Sequence, residues 1–164
     1  MIILGIDPGF AIMGYGVIET DGVRHKLIQY GALTTEAKTP TPARLLSIYT
    51  GIRQVIDIYK PDQIAFEELF FSKNVTTGMM VSAARGAALV AAAQYTQELY
   101  EYTPMQIKQA VTGSGRADKQ QVQAMVRVIL GMRETPKPDD AADALAAAIT
   151  HAHSMKAGAL FKIV

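Results

Sequence analysis

Apolar positions along this chain switch between a strand period and a helix period, and the switches divide it into elements. Residues 2–7 (IILGID) are a short apolar run broken by Pro8-Gly9, the pattern of a buried strand ending in a turn. Residues 13–19 and 24–33 predict two further strands, with Asp21-Gly22 between them as a hairpin signal. Pro40 to Pro42 mark a boundary. From Ala43 to Tyr59, Leu45, Leu46, Ile48, Ile52, Val55, Ile56 and Tyr59 recur at helical spacing until Pro61-Asp62 stops them. Gln63 to Phe66 predicts a short buried strand ending on Glu67, and a loop, LFFSKNVTTG, follows.

Residues 76–98 predict a long helix rich in Ala, Gly, Ser and Met, whose small residues (Gly78, Ser82, Ala83, Gly86, Ala87) permit close approach of another helix. Glu98 to Tyr102 predicts a fifth strand. Pro104 opens a helix at its favoured first turn, and Gly113-Ser-Gly115 ends it. Asp118 to Leu130 and Asp139 to His153 predict the last two helices; the tail, residues 155–164, shows no period and receives no structure. Hairpin strands first, then a strand–helix–strand unit, then helices, predict an α/β sheet covered on both faces. The chain reads as one domain over residues 1–154 with a short C-terminal tail.

Four carboxylates stand out against this pattern: Asp7 and Glu67 at apolar strand ends, and Asp140 with Asp143 in the apolar helix PDDAADALAAA. Carboxylates in such places are costly unless a cation joins them. Oxygen donors suit a hard divalent ion, magnesium or manganese. Asp140 and Asp143 are one helical turn apart and share a face. The positive helix N-terminus accounts for an acid at 139 or 140, but not for Asp143 inside AADALAAA. Phe70-Phe71 beside Lys73 fit either core packing or stacking on bases. Lys108 and Lys119 fit a solvated surface or phosphate contact. His25, His151 and His153 carry no motif, and the last two straddle a helix end that favours a cation.

Composition narrows the chemistry. No cysteine is present, which removes disulfides, thiolate zinc sites and cysteine nucleophiles and agrees with a cytoplasmic location. No apolar run is long enough for a membrane span, and MIILGID turns acidic too early for a secretory signal. The net charge of +1 is low for a nucleic-acid binder. Its distribution alters that: Lys108, Arg116, Lys119, Arg127, Arg133 and Lys137 lie in one stretch opposed only by Asp118 and Glu134.

The segments LGIDPG, GYGVI, IAFEELFFSKN, SAARGAALVAA, YTPMQIKQAVTGSGRADKQQVQAMV and DAADALAAAITHAH, in this order, resemble the bacterial RuvC family of Holliday junction resolvases from about residue 2 to residue 153. The resemblance implies a ribonuclease-H-like fold with a five-stranded mixed sheet flanked by helices. It also implies a homodimer that resolves four-way DNA junctions in recombination and repair by paired symmetric nicks, alongside the RuvA–RuvB branch-migration complex. On this resemblance Asp7, Glu67, Asp140 and Asp143 are the catalytic metal ligands. Glu67 rather than Glu68 follows the family's AFE pattern, and Asp140 rather than Asp139 its D-A-A-D-A-L pattern. Phe70 falls on the aromatic that stacks near the crossover, with Phe71 and Lys73 beside it against DNA. Lys108 and Lys119 fall near the scissile phosphate. The four acids would then hold two Mg²⁺ ions about 3.5–4 Å apart, with Mn²⁺ as a substitute, and leave 5′-phosphate and 3′-hydroxyl ends. Lys119 is expected to stabilise transition-state charge.

Three other readings start from the same residues. Another ribonuclease-H-like nuclease shares the Asp-x-Gly strand but not the paired phenylalanines or the DAAD spacing. An actin-like ATPase needs a second phosphate-binding half, for which the chain has no room. A junction-binding protein without catalysis has no use for all four acids.

Overall fold

The structure, a computed structural model, describes residues 1–69 and 75–163, with the side chains of 75, 76 and 156–158 set aside. Strands β1 (Ile2–Asp7), β2 (Ile12–Thr20) and β3 (His25–Thr34) form an antiparallel meander. Helix α1 (Thr41–Tyr59) crosses over so that β4 (Gln63–Glu67) pairs parallel to β1. Helix α2 (Val75–Ala93) repeats the crossover, and β5 (Leu99–Tyr102) lies parallel to β4. The sheet order is β3-β2-β1-β4-β5. Helices α3 (Pro104–Thr112), α4 (Lys119–Ile129) and α5 (Asp139–Ser154) follow.

Strand alternation separates two cores. Leu4, Ile6, Ile64 and Phe66 pack against α1 and α2; Ile3 and Ala65 face α3, α4 and α5. The same alternation turns Asp7 and Glu67 toward α5. Register makes them neighbours, since Ile6 pairs with Phe66 one step earlier.

Helix α5 is buried from Ala144 to Ala152 without a break. It lies so close to the sheet that a Cβ on Gly5 would stand 2.0 Å from the Ala144 carbonyl oxygen. A Cβ on Gly14 would stand 1.9 Å from that of Asp140, and Gly14 pairs across the ladder with Asp7. These glycines bring the first turn of α5 down onto the end of β1.

Two expectations are corrected here. Helix α2 stops at Ala93, not residue 98: Gln94 to Glu98 form the turn into β5. The tail is structured. Met155–Phe161 form a 3-10 helix, Ile163 donates its N–H to the Leu99 carbonyl at 2.9 Å, and Lys162 pairs with Glu98 at 2.7 Å. The tail thus covers the exposed edge of β5, a long-range contact that no local period announces.

Candidate active site

Two strand ends and one helix turn bring Asp7, Glu67, Asp140 and Asp143 into one electrostatically coupled cluster. Burial pushes the Asp7 carboxyl up to about 8, with Glu67, Asp143 and Asp140 adding to the effect and Lys119 opposing it. Burial raises Glu67 to about 7, Asp143 adding and Lys119 and Lys108 opposing. Asp143 is also raised by burial, against the hydrogen bond and charge of Lys119. Like charges in a dry site explain the common direction.

The cation already in the cluster is Lys119. It is the first residue of α4, placed there by the Asp118–Gln121 capping box. Its ammonium lies 2.9 Å from Asp143 and 3.6 Å from Asp139. Burial alone would lower the Lys119 pKa, but the acids around it hold it above its ordinary value. Asp139 therefore serves as a half-exposed partner of the lysine, at the first turn of α5. Lys108 shares a cleft of about 230 Å³ with Glu67, Lys119 and Asp143. Asp140 opens instead on a neighbouring cavity of about 470 Å³ floored by Gly9, Phe10 and Ile12.

Glu68 points elsewhere. It lines a third cavity with Ser82, Arg85 and Glu101, on the α2 side, where Arg85 and Glu101 form an ion pair. The strand period separates the two neighbouring glutamates, as the AFE pattern requires.

A hard divalent cation fits this donor set. The donors are all carboxylate oxygens, and among the described residues Asp7, Glu67 and Asp140 take no hydrogen bond or ion pair that would satisfy them. No three such groups among the described residues are drawn together as a finished cage. Four carboxylates faced by two ammonium groups, Lys108 and Lys119, leave charge for a cation to balance, and Mg²⁺ itself retains several waters.

The structure brings together Asp7, Glu67, Asp140, Asp143, Lys108 and Lys119. Phe70, Phe71 and Lys73 lie outside the described residues. Sequence reasoning missed Gly5 and Gly14, which set the depth of α5; a Gly two residues before Asp7 in the same strand and a Gly in the strand that pairs with it were the available signal. It also missed the histidines. His151 is buried, its ring 2.8 Å from the Tyr102 hydroxyl and 2.7 Å from Gln63 Oε1, and burial lowers its pKa to about 4. It stays neutral and joins α5 to β4 and β5, in place of the expected cation at a helix end.

The comparisons with known proteins converge. The family model described as Crossover junction endodeoxyribonuclease RuvC matches residues 3–151. A relative of that description from Desulfitobacterium hafniense is 58% identical over 155 residues, covering 94% of each chain. Another from Alkaliphilus metalliredigens is 55% identical over 163 residues, covering 99% of each. The solved structure of Thermus thermophilus RuvC in complex with Holliday junction substrate matches with a TM-score of 0.91 at 39% identity, covering 96% of each chain. The ribonuclease-H-like fold and the ordered motifs agree with one another, and this chain belongs to the RuvC family of crossover junction endodeoxyribonucleases.

Proposed function

We propose that this chain resolves four-way DNA junctions by hydrolysing one phosphodiester in each of two opposed strands, with the carboxylate cluster as its catalytic centre. The observation that carries the reading is the convergence of Asp7, Glu67 and Asp143 beside Lys119, where burial raises all three carboxyls above their ordinary range. Family membership brings dependence on a divalent metal, and we assign two Mg²⁺ ions to Asp7, Glu67, Asp140 and Asp143, with Mn²⁺ as a substitute. When bound, the ions make water acidic enough to attack phosphorus and neutralise charge on the leaving 3′-oxygen.

The chain's own residues do the rest. The acids fix where the cations sit, because β1, β4 and α5 are rigid and mutually packed. Lys119 stands at the cleft with its proton held firmly, ready to meet the extra negative charge on the phosphoryl oxygens. Lys108 adds positive charge on the Glu67 side, where we assign it to a phosphate of the DNA backbone.

Incubating the protein with a synthetic mobile junction and Mg²⁺, then mapping the ends, tests the activity. Symmetric nicks bearing 5′-phosphate and 3′-hydroxyl ends are expected, and preferential cutting of structured RNA would replace this reading with the rival nuclease. The register of the site is tested by neighbours: Glu67→Gln loses most activity, at least about a hundredfold, whereas Glu68→Gln retains it. The reverse pattern would move the ligand by one residue.

Proton competition gives a second expected result. Asp7 and Glu67 hold protons near pH 8 and pH 7 when no cation is present, so the cation must displace them. The Mg²⁺ concentration for half-maximal cleavage therefore falls as pH rises between about 6.5 and 8.5, by up to about tenfold per unit for each proton displaced. A flat requirement over that window would show that these carboxyls are already ionised.

Paired nicks call for two centres, and we assign a C₂ dimer. Helix α2 turns Ala84, Ala88 and Ala91 inward, while Met79 and Val90 are left 64% and 55% exposed on its outer side. Gly86 has open space where a Cβ would go. A Gly86→Arg variant is expected to sediment as a monomer at micromolar concentration and to lose coordinated nicking; an unchanged dimer would place the interface elsewhere. Coupling to the RuvA–RuvB complex and action in the cytoplasm follow from the family resemblance. Among the described residues no helix is long and apolar enough to cross a membrane.

A further inference from the structure

We infer that His25 and His153 form a second metal site, selective for a nitrogen-loving transition ion such as Cu²⁺, Ni²⁺ or Zn²⁺, at the end of α5 remote from the acidic cleft. The two Nε2 atoms stand 3.0 Å apart, one from the start of β3 and one from the last turn of α5. Asp140 and His153 are separated by nearly the whole helix, about 20 Å at the α-helical rise.

The outer nitrogens are both anchored. His153 Nδ1 lies 3.2 Å from the Ala110 carbonyl oxygen, which can only accept, so the proton is on Nδ1 and Nε2 carries a lone pair. His25 Nδ1 lies 2.8 Å from Thr20 Oγ1, and that oxygen accepts the Gly22 N–H at 3.0 Å. Thr20 is buried, so this anchor is fixed. An imidazole held at Nδ1 by an outer partner is the arrangement that orients its Nε2 toward a metal.

In the metal-free pair one proton bridges the two Nε2 atoms. Moving it to His25 Nδ1, where Thr20 Oγ1 accepts it, leaves a lone pair on each Nε2 without changing the pair's charge. Two imidazoles on one ion at about 2.0–2.1 Å have nitrogens about 2.9 Å apart at a square-planar angle and about 3.3 Å at a tetrahedral one. The observed 3.0 Å lies between them. Among the described residues no third His, Asp or Glu completes a cage, so water fills the remaining positions. Imidazole donors favour these ions over Mg²⁺, and the order of affinity runs Cu²⁺ above Ni²⁺ and Zn²⁺.

Zn²⁺ titration by calorimetry in saturating Mg²⁺ tests the site, with His25→Gln, His153→Gln and Asp7→Asn as variants checked for folding by circular dichroism. One ion is expected to bind the parent protein and Asp7→Asn alike, and at least about tenfold more weakly to either histidine variant. Zn²⁺ also raises the Tm of the parent but not of His153→Gln, since the ion ties β3 to α5. Bound Cu²⁺ shows electron-spin coupling to two nitrogens in the parent and one in His153→Gln. Junction cleavage by His153→Gln in Mg²⁺ stays at the parent rate. Unchanged Zn²⁺ affinity in His153→Gln, loss of binding in Asp7→Asn, or no binding by the parent would each overturn the assignment.

Discussion

Replacing Asp7 by Asn abolishes junction cleavage, leaves junction binding intact and makes the metal-free protein more stable at alkaline pH. The first effect is a loss of roughly a thousandfold or more, about 4 kcal/mol in the barrier, because an amide supplies no charge to a cation or to the field that fixes it. Binding survives because it rests on phosphate contacts and junction shape.

The stability effect follows from linkage. The folded-state pKa of Asp7 is raised from 3.8 to about 8, so between those values the folded chain holds a proton that the unfolded chain has released. Stability of the metal-free protein therefore falls as pH rises through that window and is lowest above pH 8. Removing the ionisable group removes this penalty, a few kcal/mol shared with Glu67 and Asp143. Thermal melting in chelator at pH 8.5 should show Asp7→Asn higher than the parent by about 5–10 °C, since a chain of this size shifts about 2–4 °C per kcal/mol. Near-normal cutting by Asp7→Asn would remove Asp7 from the site; an unchanged or lower Tm would mean that its carboxyl is better solvated than the geometry indicates.

Gly14→Ala, a single added methyl group, is expected to cost about a hundredfold in cleavage. Its Cβ would meet the Asp140 carbonyl oxygen at 1.9 Å and the Asp140 carbonyl carbon at 2.3 Å. Both are backbone atoms of a helix turn, so no rotamer change relieves the clash, and either β2 or the start of α5 must move. Overpacking of this kind costs about 1–3 kcal/mol of stability. A displacement near 1 Å at the carboxylates is enough to lose about a hundredfold in rate. Measuring cleavage on the fraction that remains folded separates the two losses. Full specific activity in that fraction would show that α5 can lift off β2 without moving Asp140 or Asp143.

The candidate acids are legible in the sequence where chemistry and local period coincide. Asp7 and Glu67 end apolar runs, and Asp143 interrupts an alanine-rich helix, so each is anomalous within its own neighbourhood. The strand period alone separates Glu67 from Glu68. What stayed hidden depends on partners distant in sequence. Nothing around Gly14 announces the Asp140 carbonyl, which arrives from 126 positions later, as the numbering of the pair shows. His151 reads as a helix-end cation until Tyr102 and Gln63 close around it. The C-terminal tail has no period because its order comes from the edge of β5 rather than from its own residues. The end of α2 was overestimated because Gln94 to Glu98 hold no Gly or Pro to stop the helical signal, while the turn is set by the approach to β5.

The burial of α5 bears on how the protein exchanges hydrogen with solvent. From Ala144 to Ala152 the helix is enclosed between the sheet and the layer of α3 and α4, so its amides have no local route to water. They exchange only when the domain opens as a whole. Occupation of the carboxylates at its first turn by a cation stabilises the closed state, and by mass action slows that opening. Deuterium uptake at the Thr150–Ala152 turn therefore reports on Mg²⁺ bound at the other end of the helix, with no change in the conformation of either.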